Sequence, residues 1–307
     1  MDRRLLLVLN PCAGQRRANR LMPEILRIFW DQGYRCEAYV TAGSGDATRY
    51  VAAHAAEFER VVCIGGDGTL NETIAGLLQA QVNIPIGYIP AGTTNDYASS
   101  LGLSSDVLQA ARDAASGEPR ELDVGCFNGR YFTYTASCGA FTRASYSTPQ
   151  SLKNSLGHLA YLLEGIKDLP SLRPYHLRVE TDSSVVEDDF LFCAVTNSTS
   201  VGGILKLDAR MVALNDGLFE VMLVRSPTTP MQLSSILHGI TTLELPNEMV
   251  HFFSAKDIHV VSSNPLEWTL DGERADGGTE VAMHNLHSAV RIVVPAGEEP
   301  EDEEDAP

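Results

Sequence analysis

Two neighbouring runs, Gly65-Gly66-Asp67-Gly68-Thr69-Leu70-Asn71-Glu72 and Pro90-Ala91-Gly92-Thr93-Thr94-Asn95-Asp96, leave few options for the first third of this chain. The first follows the apolar segment Arg60 to Ile64 and precedes the helical-looking Thr73 to Leu78, so glycines and an acid sit at a strand-to-helix turn. Glycines let backbone N–H groups approach an anion with no Cβ in the way, and the start of the helix aims its positive end at the same spot. Asp67 alone would repel a phosphate, yet it suits a magnesium ion bridging to one. The pattern points to nucleotide chemistry. A plain glycine turn would explain the glycines but not the acid, threonine and amide packed around them.

Around these runs, residues 1 to about 120 alternate short apolar stretches with helical patterns, which predicts parallel strands joined by crossover helices. Leu5 to Leu9, Cys36 to Val40, Val61 to Ile64 and Ile84 to Ile89 are the strands. Ala18 to Asp31, Asp46 to Phe58, Leu70 to Gln79, Asp96 to Leu101 and Val107 to Ala115 are the helices. Ligands of such sheets bind outside the carboxyl ends of the strands, where both glycine-rich runs fall.

From about Glu121 the texture changes to strands separated by turn signals. Asn128-Gly129 between Leu122 to Phe127 and Arg130 to Ala136 predicts a tight hairpin. Leu177 to Thr181 and Asp189 to Thr196 flank Asp182-Ser183-Ser184 as a second one. Leu218 to Val224, Ile258 to Val261, Glu267 to Leu270, Thr279 to Met283 and Ala289 to Val294 complete a β-rich half, read as a sandwich. One helix interrupts it, with Leu152, Leu156, Leu159, Leu163 and Ile166 on one stripe that packs on the sandwich more readily than on a membrane. The expected organisation is an α/β domain over 1–122, a β-sandwich domain over 123–297 whose last strand either returns to the first domain or closes the second, and an acidic disordered tail over 298–307.

The 307 residues suffice for two cores, and no apolar run approaches the roughly 18 residues of a spanning helix. The start, Met1 to Leu9, reads as a first buried strand rather than a signal peptide, because Asn10-Pro11 cuts the apolar stretch short. The six cysteines form no C-x-x-C pair and look like small core residues of a cytoplasmic protein. A net charge of -17 makes nucleic acid an improbable partner. Membrane contact would need a local basic face, and Arg3, Arg4, Arg16, Arg17, Arg20 and Arg27 form the one evident cluster, equally explained by a solvated helix face plus a phosphate contact. The eight histidines show no ligand spacing and receive no chemistry.

The ordered set Asn10-Pro11 with Gly14, Gly65 to Glu72, Gly92 to Asp96, Leu122-Asp123-Val124-Gly125, Asp216-Gly217 and Asp271-Gly272-Glu273 resembles the diacylglycerol kinase catalytic domain family, closest to its soluble bacterial branch. The resemblance runs from Leu5 to about Pro295. It implies an α/β nucleotide-binding domain, a β-sandwich domain and an active site in the cleft between them, with ATP as phosphate donor, Mg2+, and a lipid acceptor met peripherally at a membrane surface. Relatives of this kind are often homodimers. Residues matching Asn10, Pro11, Cys12, Ala13 and Gly14, then Thr41, then Gly66, Asp67, Gly68, Thr69, Leu70, Asn71 and Glu72, then Thr93 are implied to bind ATP. Asp67, Asp96 and Asp123 are implied to form an acidic network near the phosphates, and Glu273 to be the general base. A structural magnesium is implied on Asp216 and the carbonyls of Ala213 and Leu218. Asn215 stands where the family often shows a second acid, and Lys206-Leu207-Asp208-Ala209 lacks a proline frequent there.

Read without the family, Asp271-Gly272 is an ordinary hairpin turn, Glu273 could pair with Arg274, Asp123 could be an edge acid and Asp96 a helix cap. Two other functions compete with a lipid kinase. An NAD kinase would need a T-P-T-G-S-T signature, for which Thr148-Pro149-Gln150-Ser151 is a poor substitute. A non-catalytic nucleotide- or lipid-binding regulator would not need Asp67, Asn95, Asp96, Asp123 and Glu273 intact.

Overall fold

The structure is a computed structural model that describes residues 3–14, 17–93, 95–139, 174–198, 200–201, 205–206, 213–242 and 244–296. The expected helix over Leu152 to Ile166, the Thr148 to Ser151 stretch, most of Lys206 to Ala209 and the acidic tail lie outside the described residues. The chain divides into two compact units, residues 1–121 with 290–307, and residues 122–289.

In the first unit, β1 (Arg3–Leu9), β2 (Tyr34–Val40), β3 (Arg60–Gly65) and β4 (Ile86–Pro90) form a parallel sheet in the order β2-β1-β3-β4. The inner strands are apolar along their length, as a sheet covered on both faces requires: Leu5 to Val8 and Val61 to Ile64 are fully buried. Between the strands run α1 (Arg17–Arg20), α2 (Met22–Asp31), α3 (Asp46–His54), α4 (Asp67–Ala80), α5 (Asp96–Ser100) and α6 (Val107–Ser116).

The expected single helix over Ala18 to Asp31 is broken at Leu21, and α2 restarts with Pro23 in its first turn, where a missing N–H costs nothing. The end of α3 tightens into a 3-10 turn over Ala55–Glu57. α4 begins at Asp67, three residues earlier than the apolar periodicity suggests, because its first residues are the glycine turn itself.

In the second unit, β5 (Glu118–Phe127), whose first four residues lie in the first unit, and β6 (Arg130–Phe132) make the expected Asn128-Gly129 hairpin, both turn residues having positive φ as a type I′ turn demands. β7 (Thr135–Gly139), β8 (Tyr175–Thr181) and β9 (Val185–Thr196) follow, then the short β10 (Ser200–Val201) and β11 (Leu205–Lys206) pair, β12 (Phe219–Arg225), β13 (Val250–Ala255), β14 (Asp257–Leu270) and β15 (Glu273–Val294). β9 and β14 each serve two sets of partners. The first half of β9 pairs with β8 and its second half with β7 and β12; β14 pairs with β8 early and β7 late.

Strands shared in this way let one antiparallel sheet fold over an apolar core, in which Phe127, Phe132, Phe190, Phe219, Trp268 and Met283 are almost wholly buried. The strands expected separately at 258–261 and 267–270 are one bulged strand, as are those at 279–283 and 289–294. Strand β13 and the helix α7 (Pro230–Thr242) have no counterpart in the sequence reading. The end of β15 belongs to the first unit, where Ile292 pairs in parallel with Ile86.

Candidate active site

Three loops at the carboxyl ends of β1, β3 and β4 come together through glycines. A Cβ on Gly14, whose φ is +49°, would stand 2.3 Å from the Ala91 carbonyl oxygen, and one on Gly92 would stand 2.6 Å from Gly66 Cα. No side chain fits between these backbones. The loops are also tied by hydrogen bonds: Ala91 N donates to Gly65 O at 2.7 Å, and Asn10 Nδ2 to Thr69 Oγ1 at 3.1 Å. Asn10 Oδ1 accepts from Cys12 N at 2.9 Å, which fixes the turn that carries Gly14.

Asn95, itself in the left-handed region, closes the third loop by bonding both Gly92 N and Gly92 O. Thr41 reaches the same edge, its N–H on Leu9 O at the end of β1. Helix α4 starts here on Gly66 with no side-chain cap, so the donors of its first turn and the positive end of its dipole face the loop cluster.

Asp67 and Asp96 are brought together. Asp67 Oδ2 accepts the Asp96 N–H at 3.0 Å, and Tyr88 donates to Asp67 Oδ1 at 3.3 Å. Asp67 therefore stands at the starts of both α4 and α5, where a negative charge is favoured. It is Asp67 that supplies the cap at Asp96, which is itself the first residue of α5.

Two residues expected to bind ATP turn their side chains elsewhere. Leu70 is fully buried in the unit's interior, and the Glu72 carboxylate accepts from Gly45 N at 2.6 Å and Ala47 N at 3.2 Å, capping α3. Arg3 and Arg4 sit at the amino end of β1, away from the glycine loops, and pair with Glu59, Glu37 and Glu57; Arg27 pairs with Asp31. Arg3, Arg4 and Arg27 of the expected cluster are thus held in surface ion pairs, and a phosphate contact by Arg3 or Arg4 is ruled out by position; Arg16 and the Arg17 side chain lie outside the described residues.

In the second unit, Asp123 is fully buried and saturated with donors. Its Oδ1 accepts from Ser288 N at 2.7 Å and His287 Nδ1 at 3.0 Å, and its Oδ2 from Gly217 N at 2.7 Å. Ser288 holds φ +48° to present that N–H, a conformation costing on the order of 1 kcal/mol for a residue with a Cβ. Asp123 N also donates to Leu214 O at 2.9 Å. One buried acid thus clips both ends of the 214–217 loop, so Asp123 is brought to Asp216 and Leu218.

Asp216 is exposed, with Oδ1 accepting from Leu218 N at 3.0 Å; Leu218 O accepts from Asn285 Nδ2 at 3.0 Å, and Ala213 is exposed at the loop's start. Glu220, two residues on, is 2% exposed and its Oε2 has no hydrogen-bond partner. Burial, reinforced by the Asp216 charge, pushes its carboxyl up to about 8.

Unpartnered buried oxygens are also found on Asn197 and Asn285. Among the described residues no three His, Cys, Asp or Glu side chains cluster as a metal site. A cation here would therefore rest on one or two carboxylates plus carbonyl and amide oxygens, the donor set of a hard ion such as Mg2+, and the residues present fit it.

Glu273 opens β15 directly after the Asp271-Gly272 turn, which has φ of +49° and +84° and pairs Leu270 with Glu273. Its side chain is exposed, and Arg274 pairs with Glu267 rather than with Glu273. The turn is fastened by Asp271. That carboxylate accepts four hydrogen bonds, from Thr133 N and Oγ1 and from Tyr134 N and Thr135 N, at 2.7 to 3.0 Å. Burial raises its pKa against the pull of those donors. The same capture ends β6 at Phe132 and restarts the chain as β7 at Thr135, dividing a segment expected as one strand.

Tyr88, His287 and Glu220 have no place in the sequence reading, and Asp271 enters it only as a residue of the motif and its hairpin turn. Tyr88 gave a faint signal as a polar tip in an otherwise apolar strand, and Glu220 as an acid inside the apolar run Phe219 to Val224; His287 gave none.

Comparison with known proteins gives the class. Residues 4–127 match the family described as diacylglycerol kinase catalytic domain, and residues 135–294 the YegS C-terminal NAD kinase beta sandwich-like domain. A diacylglycerol kinase of Bacillus subtilis strain 168 is 33% identical over 296 residues, covering 95% of this chain and 97% of that protein. One from Staphylococcus saprophyticus is 33% identical over 303 residues, covering 96% of each. A solved protein of Bacillus anthracis strain Sterne, assigned as a diacylglycerol kinase, superposes with a TM-score of 0.78 at 24% identity over 95% of this chain and 97% of its own, which establishes the shared fold.

The chain belongs to the diacylglycerol kinase family, a class of lipid kinases. Among the described residues no helix is long and apolar enough to cross a membrane.

Proposed function

We propose that this protein transfers the γ-phosphate of ATP, with Mg2+, to the hydroxyl of diacylglycerol or a closely related lipid alcohol, giving phosphatidic acid from diacylglycerol. The observation that carries the reading is the glycine-walled cluster of loops after β1, β3 and β4, closed to side chains and set at the start of an uncapped helix. Such a place binds an anion through backbone donors.

Asn10 to Gly14, Thr41, Gly66 to Thr69 and Thr93 line it; Leu70 and Glu72 serve it from behind, by packing and by holding α3. Bound Mg2+ would neutralise charge on the phosphates, with Asp67 and Asp96 as the carboxylates suited to hold it there, while Asp216 with the carbonyls of Ala213 and Leu218 suits a structural ion. Glu273 takes the proton of the acceptor hydroxyl. The new bond forms from that oxygen to the γ-phosphorus, the bond from phosphorus to the β–γ bridging oxygen breaks, and ADP leaves with that electron pair. Asp271 acts on this step by fixing the turn that presents Glu273.

The acceptor is a membrane lipid, so the enzyme works in peripheral contact with a bilayer surface. The test is transfer of labelled γ-phosphate from ATP and Mg2+ to a panel of lipids in mixed micelles. NAD is the control acceptor, because the second unit's family is described as NAD kinase beta sandwich-like. Label in a diacylglycerol supports the reading and names the acceptor; label only in NADP, or in nothing, overturns it.

A further inference from the structure

The knot of hydrogen bonds around residues 213–218 leaves only oxygens unspent. Asp123 is saturated by Gly217, His287 and Ser288. Asn197 Nδ2 is spent on Asp123 O at 2.9 Å and Asn285 Nδ2 on Leu218 O at 3.0 Å, yet Oδ1 of each is buried without a donor. Glu220 Oε2 is the third such atom and the one that can carry charge. A buried acceptor left unmade costs about 1–3 kcal/mol, more for a charged group, and here three stand in one connected region, with the Thr135 hydroxyl, across Thr196 from Glu220, the unpartnered group beside them.

The strand geometry explains why Glu220 belongs to this region and not to the apolar core. Phe219, Val221 and Leu223 of β12 are members of the core cluster, so alternation puts Glu220 on the opposite face. There it lies directly across from Thr196 of β9, whose next residue is Asn197. Two residues before Glu220 is Leu218, whose N–H binds Asp216 and whose carbonyl binds Asn285. A water has two protons to give and no charge; a divalent cation takes several oxygen ligands and offsets a carboxylate's charge as well.

We propose that Glu220 supplies the second carboxylate of a divalent-cation site on the Ala213 to Leu218 loop, with the amide oxygen of Asn285 beside it. The inference rests on the metal-loop reading given above and extends it to a residue outside the loop. It also accounts for Asn215: the neutral amide in the loop leaves Asp216 as its only acid, and the strand behind the loop provides the other.

The test uses the whole chain without nucleotide or lipid, titrated with Mn2+ and Mg2+ by calorimetry and followed by thermal unfolding in chelator and in metal. Wild type is expected to bind Mn2+ and to melt higher with it. Glu220→Gln is expected to weaken Mn2+ affinity by about tenfold or more and to lose most of the metal-dependent rise, while melting in chelator no lower than wild type. A purely structural role would lower both melting points and leave the affinity alone.

Glu220→Asp, which keeps the charge and shortens the reach, is expected to lose part of the affinity, and decides the matter if the glutamine variant does not fold. Unchanged Mn2+ affinity in the folded variants, with binding lost in Asp216→Ala, overturns the role of Glu220 alone. No binding by wild type overturns the inference and the metal-loop reading together, and phosphoryl transfer to lipid remains a separate measurement.

Discussion

The glycine loops of the first unit and the acid-rich loops of the second use the same dipeptide to opposite ends. At Asp67-Gly68 the backbone enters a helix, the acid takes a cap hydrogen bond, and the surplus of the region is N–H donors. At Asp271-Gly272 the backbone turns back on itself with two positive φ values, and the acid consumes four donors from one strand break. Around Asp123 and Asp216 the donors run out first and buried oxygens are left over. A region with spare donors suits a phosphate; one with spare acceptors suits a cation.

The sharpest attempt to break this contrast is made where neither surplus operates. Glu273→Gln removes an exposed acid and should lower kcat by at least ~100-fold while leaving ATP affinity nearly unchanged, since general-base loss costs about that much. Near-normal turnover would remove Glu273 from the chemistry.

Next in size, Asp271→Ala strands three backbone N–H groups in the interior and should destabilise the second unit by about 3 kcal/mol or more, read in thermal or urea unfolding. Asp216→Ala, at an exposed position, should change metal-free stability by roughly 0.5 kcal/mol or less and instead abolish the stabilisation by Mg2+. Equal losses in the two variants would erase the distinction between a saturated acid and an available one.

Gly92→Ala puts a Cβ against Gly66 and should weaken ATP binding by about 10- to 100-fold through a displaced loop, with metal binding by the second unit untouched. Binding at wild-type strength would mean that the donors lie elsewhere.

The smallest effect is a pH slope. Glu220 holds its proton to about 8 when folded but releases it near the ordinary glutamate value when unfolded, so in chelator stability should fall as pH rises from about 5 to about 8. Glu220→Gln should flatten that limb. A wild-type profile already flat in chelator would show that Glu220 ionises freely and is not held in a buried, partnerless state.

Much of the first unit was legible because its signals are local. Apolar runs, glycines and crossover spacing fix each strand, helix and loop from neighbours in sequence, and the parallel sheet then has little freedom of order. The Asn128-Gly129 hairpin was legible for the same reason. Boundaries failed where a distant side chain intervened. Asp271, 138 positions from Thr133, breaks the strand that local pattern makes continuous. β13 was not legible because its place is set by pairing along β12, a partner about 30 positions away.

What the sequence determined by itself is the class of chemistry: an ordered set of glycines and acids at strand ends, each readable one motif at a time. What only the tertiary structure decided is which of those groups remain available. Asp123, Asp216, Asp271 and Glu220 are four acids of like appearance in the chain. Asp123 and Asp271 are saturated by donors from residues many tens of positions away, while Asp216 stays exposed and Glu220 Oε2 is buried without a partner, because a carboxylate's chemistry follows from the partners and burial that the fold supplies.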